Sequence, residues 1–168
     1  INHAVDETYE CCKAQGAVIA IDIKTGKKIW TGRTMDEAQK TQLSRVGTQM
    51  WGPSGAPSWN TPAIDEKRNL LYVGTGEQNS IPFVDTTDAI VAFDLDTGAR
   101  KWVFQATPRD LWHYACPRGP NCFGAEQGVT VDHDFGGSVV IAKRADGRDI
   151  LVYGQKSAAI WALDPDNN

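Results

Sequence analysis

The chain has 168 residues, enough to bury an ordinary core, and its 17 basic and 21 acidic side chains leave a formal net charge of -4. It has no run of Lys and Arg, so neither a nucleic-acid footprint nor a polybasic membrane patch is present. No stretch reaches the roughly 20 apolar residues of a transmembrane helix, so the expected partners are small molecules or acid-tolerant proteins, with no nucleic acid and no membrane span.

In chain order, a strand-like Ile1–Val5 precedes an acidic stretch, Asp6 to Glu10, and the adjacent pair Cys11-Cys12. The apolar run Ala17–Ile21 suits a strand buried on both faces, and Asp22, Thr25 and Gly26 suit a tight turn into a second strand ending at Trp30. Thr34-x-x-Glu37 is a capping-box pattern, and the helix formers from Met35 to Ser44 predict one short surface helix. The Gly/Pro-rich segment Trp51 to Trp59 is a loop that positions side chains. A strand over Leu70–Val73 leads into the glycine turn Gly74 to Ser80.

The run Asp88–Phe93, with Asp94, Thr97, Gly98 and Trp102, then repeats Ala-x-Asp-x-x-Thr-Gly-x-x-x-Trp, first met at Ala20–Trp30. After the loop Thr107 to Tyr114 come strands over Ser138–Ile141 and Ile150–Tyr153, and a third copy starts at Ala162-Leu163-Asp164 behind the run Ala158–Leu163. One supersecondary unit laid down several times implies a solenoid or propeller. A Trp ending the second strand of each copy can dock on the neighbouring unit, which ties the sheets of a propeller into a ring. The copies are 72 residues (Asp22 to Asp94) and 70 residues (Asp94 to Asp164) apart, more than the roughly 40–45 of a simple blade, so long functional loops are expected between them. The reading is therefore all-β, with residues 1–168 forming one partial β-propeller of about three blades, a piece of a longer ring.

The four cysteines fit neither a zinc ribbon nor a haem-attachment motif. Cys116 to Cys122, with two prolines and a glycine between, is a loop that one disulfide would close, free buried thiols being the alternative. A disulfide there favours an oxidising compartment. Cys11 and Cys12 can form a vicinal disulfide, pair outside this segment, or stay reduced.

The two repeats, Ala56-Pro57-Ser58-Trp59-Asn60-Thr61-Pro62, Tyr72-Val73-Gly74-Thr75-Gly76, Gln105 to Trp112 and Tyr153-Gly154-Gln155-Lys156 resemble the eight-bladed pyrroloquinoline quinone (PQQ) dehydrogenases, most of all their polyvinyl-alcohol-dehydrogenase branch. The resemblance covers nearly all of the chain. It implies oxidation of a secondary or polymeric alcohol by hydride transfer to PQQ beside a Ca2+ or lanthanide ion, electrons passing to a cytochrome c, in a periplasmic or secreted protein.

Residue by residue, Trp59 matches the tryptophan under the quinone and Lys156 the basic group at its oxygens, against a core Trp and a solvated lysine. Glu77 stands where relatives carry an asparagine metal ligand, and Glu7 or Glu10 matches a carboxylate ligand, Glu7 being preferred. Asp110 matches an aspartate suited to take the alcohol proton, with His113 the alternative base; a loop-capping Asp110 and a merely polar His113 are the plainer readings. The family's vicinal disulfide lies in a different part of the chain, so that role is not carried to Cys11-Cys12. Two rival readings are a non-enzymatic propeller scaffold of the outer-membrane assembly lipoprotein type and a PQQ-fold protein that has lost catalysis.

Overall fold

The computed structural model describes residues 8–114, 116, 122–124 and 127–166. Among them are thirteen strands and no helix. The strands are β1 (Ala17–Ile21), β2 (Lys28–Arg33), β3 (Gln39–Leu43), β4 (Gln49–Gly52), β5 (Ser54–Gly55), β6 (Ala63–Asp65), β7 (Leu70–Gly74), β8 (Gln78–Ser80), β9 (Ala89–Asp94), β10 (Arg100–Gln105), β11 (Val140–Lys143), β12 (Asp149–Gly154) and β13 (Ile160–Leu163). The largest sheet is four-stranded, in the order β10-β9-β7-β6, with every neighbour antiparallel. Beside it lie the three-stranded β11-β12-β13 and the pairs β1-β2, β3-β4 and β5-β8.

The core follows from side-chain alternation along β7 and β9. Leu70, Tyr72, Ile90 and Ala92 point one way and pack with Phe135, Val139, Leu151 and Tyr153 of the next unit. Leu71, Val73, Ala89, Val91 and Phe93 point the other way and pack with Val18, Leu95 and Val103. Each large side chain taken fully out of water here contributes about 1.5–3 kcal/mol. The central strand β9 is thus covered on both faces, as expected. The expectation fails for β1 and β13: β1 alternates, leaving Ile19 and Ile21 more than half exposed, and Ile160 of β13 is exposed too, because these strands have a neighbouring sheet on one side only among the described residues.

The repeat is visible atom by atom. Asp22 Oδ1 accepts from the Lys24 and Thr25 amides and the Thr25 hydroxyl, and Asp94 Oδ1 does the same with Asp96 and Thr97. Gly26 and Gly98 close the turns at φ +69° and +71°, a conformation that disfavours any Cβ. Trp30 then docks on the second copy: its indole N–H donates to Leu95 O at 2.9 Å, and a Cβ at Gly98 would fall 2.5 Å from its ring.

The helix predicted over Met35–Ser44 is absent, and β3 occupies part of it, paired antiparallel with β4. Local propensity lost to tertiary bonding. Thr34 is fully buried and its hydroxyl reaches the carbonyls of Gly16 and Ala56, so it cannot cap a helix, and the next residue, Met35, is also buried. The strand read over Ser138–Ile141 is displaced to Val140–Lys143, while Leu70–Val73 and Ile150–Tyr153 fall within β7 and β12. The stretch Ile1–Val5 lies outside the described residues.

Candidate active site

Three loops at strand ends meet beside the four-stranded sheet. The turn after β7 carries Gly76 and Glu77, the segment before β6 carries Trp59 and Asn60, and the segment before β11 carries Asp132, Asp134 and Phe135. Asn60 joins them, its amide donating to Gly74 O and Phe135 O at 2.9 Å each. Gly76 is required by closeness rather than by φ: a Cβ there would stand 2.6 Å from Asp134 Oδ1 and 2.9 Å from the Trp59 ring. The Trp59 indole rests against Gly76 and Gly136 and is still 55% exposed. It is a held ring with free surface, unlike the docked Trp30.

Asp134, buried at 4% exposure, is the hub. Its Oδ1 accepts the Glu77 amide at 3.0 Å and its Oδ2 the Lys156 ammonium at 2.9 Å, while its carbonyl accepts the Lys156 amide at 3.0 Å. Lys156 also pairs with Asp132 at 2.6 Å. Carboxylate oxygens of Glu77, Asp132 and Asp134 lie within 4.8 Å of one another. Such a set of oxygen donors suits a hard cation. Burial, then the hydrogen bond and charge of Asp134, pushes Glu77 up to about 8. For Asp134 burial acts upward too, but hydrogen bonds with Glu77, Lys156 and Asp132 outweigh it and hold it below the ordinary value. Partial burial works against the Lys156 ammonium, yet the two aspartates raise it above its usual range.

A further carboxyl, Asp88, sits behind the turn. Its amide donates to Gly76 O and its carbonyl accepts from Ala106, which ties it to two site loops. It is fully buried in a left-handed conformation, φ +45°, and neither carboxyl oxygen has a hydrogen-bond partner among the described residues. Burial, then the charges of Asp110, Asp134, Glu77 and Asp132, pushes it up to about 9. Buried unsatisfied groups and strained backbone of this kind gather at functional sites.

Asp110 is also fully buried, and its two oxygens accept the Val131 and His133 amides at 3.0 Å each. It therefore fixes the strand-like segment that leads to Asp132 and Asp134. His113 instead lines a cavity of ≈ 790 Å³ whose walls include Glu77, Asn79, Trp112 and the bridged pair Cys11-Cys12. Asn79 holds one wall in register by donating to Trp112 O at 2.8 Å. Both disulfides are formed, Cys11-Cys12 and the expected Cys116-Cys122, the latter with Cα atoms 5.1 Å apart. His113 lies near the sulfurs of Cys116 and Cys122, but bridged sulfurs offer no thiolate to a metal.

The structure thus brings Trp59, Glu77 and Lys156 together around Asp134 and puts His113 and Glu77 on one cavity. Glu7 lies outside the described residues; Glu10 is exposed, accepts from Trp51 Nε1 and pairs with Lys13, and it stands outside the carboxylate triangle but lines the same cavity as Glu77 and His113. Sequence reasoning missed Asp88, Asp132 and Asp134. The signal available was Asp132-His133-Asp134 directly before the Phe135-Gly136-Gly137 turn, outside the repeat.

Residues 1–146 match the family model for the β-propeller domain of PQQ-dependent glucose, ethanol and alcohol dehydrogenases. The chain is 39% identical to a polyvinylalcohol dehydrogenase of Pseudomonas sp. over 166 residues, 98% of this chain and 26% of that protein. It is 40% identical to one from Sphingopyxis sp. (strain 113P3) over 163 residues, 95% of this chain and 25% of that protein. It therefore spans about a quarter of the length of these curated relatives. Among solved structures, a quinohemoprotein alcohol dehydrogenase of Pseudomonas putida HK5 superposes with TM-score 0.63 at 24% identity, over 90% of this chain and 23% of that one, a likeness of fold. With the docked tryptophan repeat, the propeller-like sheets and this match in hand, the chain belongs to the PQQ-dependent dehydrogenase β-propeller family.

Proposed function

We propose that the protein is a PQQ-dependent alcohol dehydrogenase that oxidises a secondary or polymeric alcohol and passes the electrons to a cytochrome c. The observation that carries this reading is the convergence of Trp59, Glu77 and Lys156, drawn from three separate loops, on Asp134. These residues fit the groups the family uses. The held, half-exposed indole of Trp59 offers a face to a flat ring, Lys156 offers an ammonium to its oxygens, and Glu77, Asp132 and Asp134 offer oxygen donors to Ca2+ or a lanthanide. When bound, the quinone supplies the acceptor for the hydride leaving the alcohol carbon.

The chain's own residues do the rest. Lys156 would place positive charge at the oxygens of the bound ring. The proton on the alcohol oxygen goes to a base, which we take to be His113 because it lines the cavity beside Glu77, while Asp110 positions the segment that carries Asp132 and Asp134. Sequence reading put Asp110 ahead of His113; this proposal takes the opposite order, because both Asp110 oxygens already accept amides. Two disulfides suit export to the periplasm or beyond. No helix among the described residues is long and apolar enough to cross a membrane.

The test is alcohol-dependent reduction of a dye by protein incubated with PQQ and Ca2+ or La3+, using a small secondary alcohol and polyvinyl alcohol in parallel. Turnover that requires PQQ and falls in Lys156→Met is expected. Absence of turnover under every cation, with PQQ shown to bind, would point to a family member without catalysis; absence of PQQ binding would point to a scaffold.

A further inference from the structure

His113 stands between two neighbourhoods. One is the cavity it shares with Glu77; the other is the Cys116–Cys122 bridge, whose two sulfurs and a His113 ring nitrogen all lie within 4.8 Å of one another. One imidazole and two cysteines are the ligand types of a zinc site that keeps its fourth corner open to water. Bridged sulfurs cannot serve, because the ligand is the thiolate. The oxidation state of one bond therefore decides whether the cluster is a staple or a metal site.

We propose that reduction of the Cys116–Cys122 bridge turns His113, Cys116 and Cys122 into a three-ligand site for Zn2+. The reductant is a dithiol. It gives the bridge two electrons and two protons, leaves as its own disulfide and frees two thiols. Zn2+ then releases both thiol protons to water and takes a nitrogen of the neutral imidazole. Two thiolates cancel the charge of the ion, and a water completes the tetrahedron.

The ligands are held together by more than the bridge. The Cys116 amide donates to His113 O at 2.8 Å, and the Trp112 amide donates to Gln78 O at 2.8 Å, which fastens the histidine end to β8. On the other side Phe123, the neighbour of Cys122, packs against the cluster of Cys11 and Met50. Two thiolates on one zinc, at about 2.3 Å each in a tetrahedron, stand about 3.8 Å apart. That lies within the span of two cysteines whose Cα atoms are 5.1 Å apart. The bridge is also of a kind that a dithiol opens. Its cysteines are 6 residues apart, so it removes little loop entropy from the unfolded chain, and both are partly exposed. In the other bridge, by contrast, Cys11 is buried. An ion at this site holds the ring that the reading above gives to the alcohol proton, so on that reading the reduced, zinc-loaded protein is silent; the site itself does not depend on it.

The experiment needs neither PQQ nor turnover. Protein reduced with dithiothreitol, and freed of it by anaerobic gel filtration, is titrated with Co2+ and then with Zn2+. Co2+ reports tetrahedral thiolate ligation through its visible bands and a near-ultraviolet charge-transfer band. The expected result is a single equivalent of Co2+ with these bands, bleached by Zn2+, and no such bands while the bridges are intact. Reduced Cys116→Ser, Cys122→Ser and His113→Asn should each bind at least about a hundredfold more weakly, since loss of a ligand costs no less than loss of the groups that orient one. Reduced Cys12→Ser should bind as the wild type does, and melting curves of the reduced, metal-free variants separate loss of a ligand from loss of fold. Reduced wild type without tetrahedral bands overturns the inference, as do bands that survive in Cys116→Ser and vanish in Cys12→Ser. Bands that form as expected, together with full activity of His113→Asn, would take the base away from His113 and leave the metal site standing.

Discussion

The main-chain amide of Glu77 donates to Asp134 Oδ1 at 3.0 Å across 57 residues of sequence, so one buried carboxylate sets the position of a candidate metal ligand and, through its other oxygen, of Lys156. Asp134→Ala leaves that amide without its acceptor, and an unsatisfied buried donor costs about 1–3 kcal/mol. Urea unfolding should show a loss of that order. Asp134→Asn keeps an oxygen for the amide and turns its NH2 towards the Lys156 ammonium, which is exposed and still pairs with Asp132, so it should lose less. Equal losses would mean that the charge, not the hydrogen bond, matters.

Asp110 and His113 separate by the same kind of comparison. Asp110→Asn sets an NH2 donor against the Val131 or His133 amide, which should lower stability by about 1.5–3 kcal/mol and loosen the segment carrying Asp132 and Asp134. His113→Asn removes a buried ring and should stay folded with a modestly lower melting temperature, but lose roughly 10²–10⁴-fold in rate, as removal of a general base does. A His113→Asn protein with full activity, and an Asp110→Asn protein that is stable but inactive, would return the proton to Asp110.

Asp88 gives a pH prediction. Its folded value is raised to about 9, mainly by burial, so the folded state holds a proton that the unfolded chain releases near the ordinary carboxylate value. The stability this group contributes is fully present below about pH 4 and is lost progressively as the pH rises towards 9. With no multivalent cation added, Asp88→Asn should therefore gain in melting temperature over the wild type as the pH is raised through that window, and the gap should level off above it. A gap independent of pH would show that Asp88 ionises as an exposed carboxylate does.

The parts legible in the sequence were those written as local pattern. The Asp22 and Asp94 turns, the Trp30 dock and β9 follow from a motif that repeats; the turns close by bonds within a few residues, and the Trp30 dock joins one copy to the next. The family resemblance made it legible that Trp59, Glu77 and Lys156 fall in strand-end loops; their roles towards a cofactor belong to the proposal. What stayed hidden depends on contacts between distant segments. The capping pattern at Thr34 was overridden by carbonyls of Gly16 and Ala56, and Asp88, Asp132 and Asp134 are ordinary loop aspartates until the fold encloses them. Asp110 read as a base because its neighbours matched a motif, and only the amides of Val131 and His133 reveal its second occupation.

The most direct test of the site is a PQQ titration followed by quenching of tryptophan fluorescence, with saturating cation, in the wild type, Trp59→Ala and Lys156→Met. If Trp59 stacks on the quinone and Lys156 meets its oxygens, both variants bind more weakly, Trp59→Ala by about 1–3 kcal/mol, the range measured when an aromatic platform for a flat ring is removed. PQQ binding of wild-type strength in both variants would contradict the site.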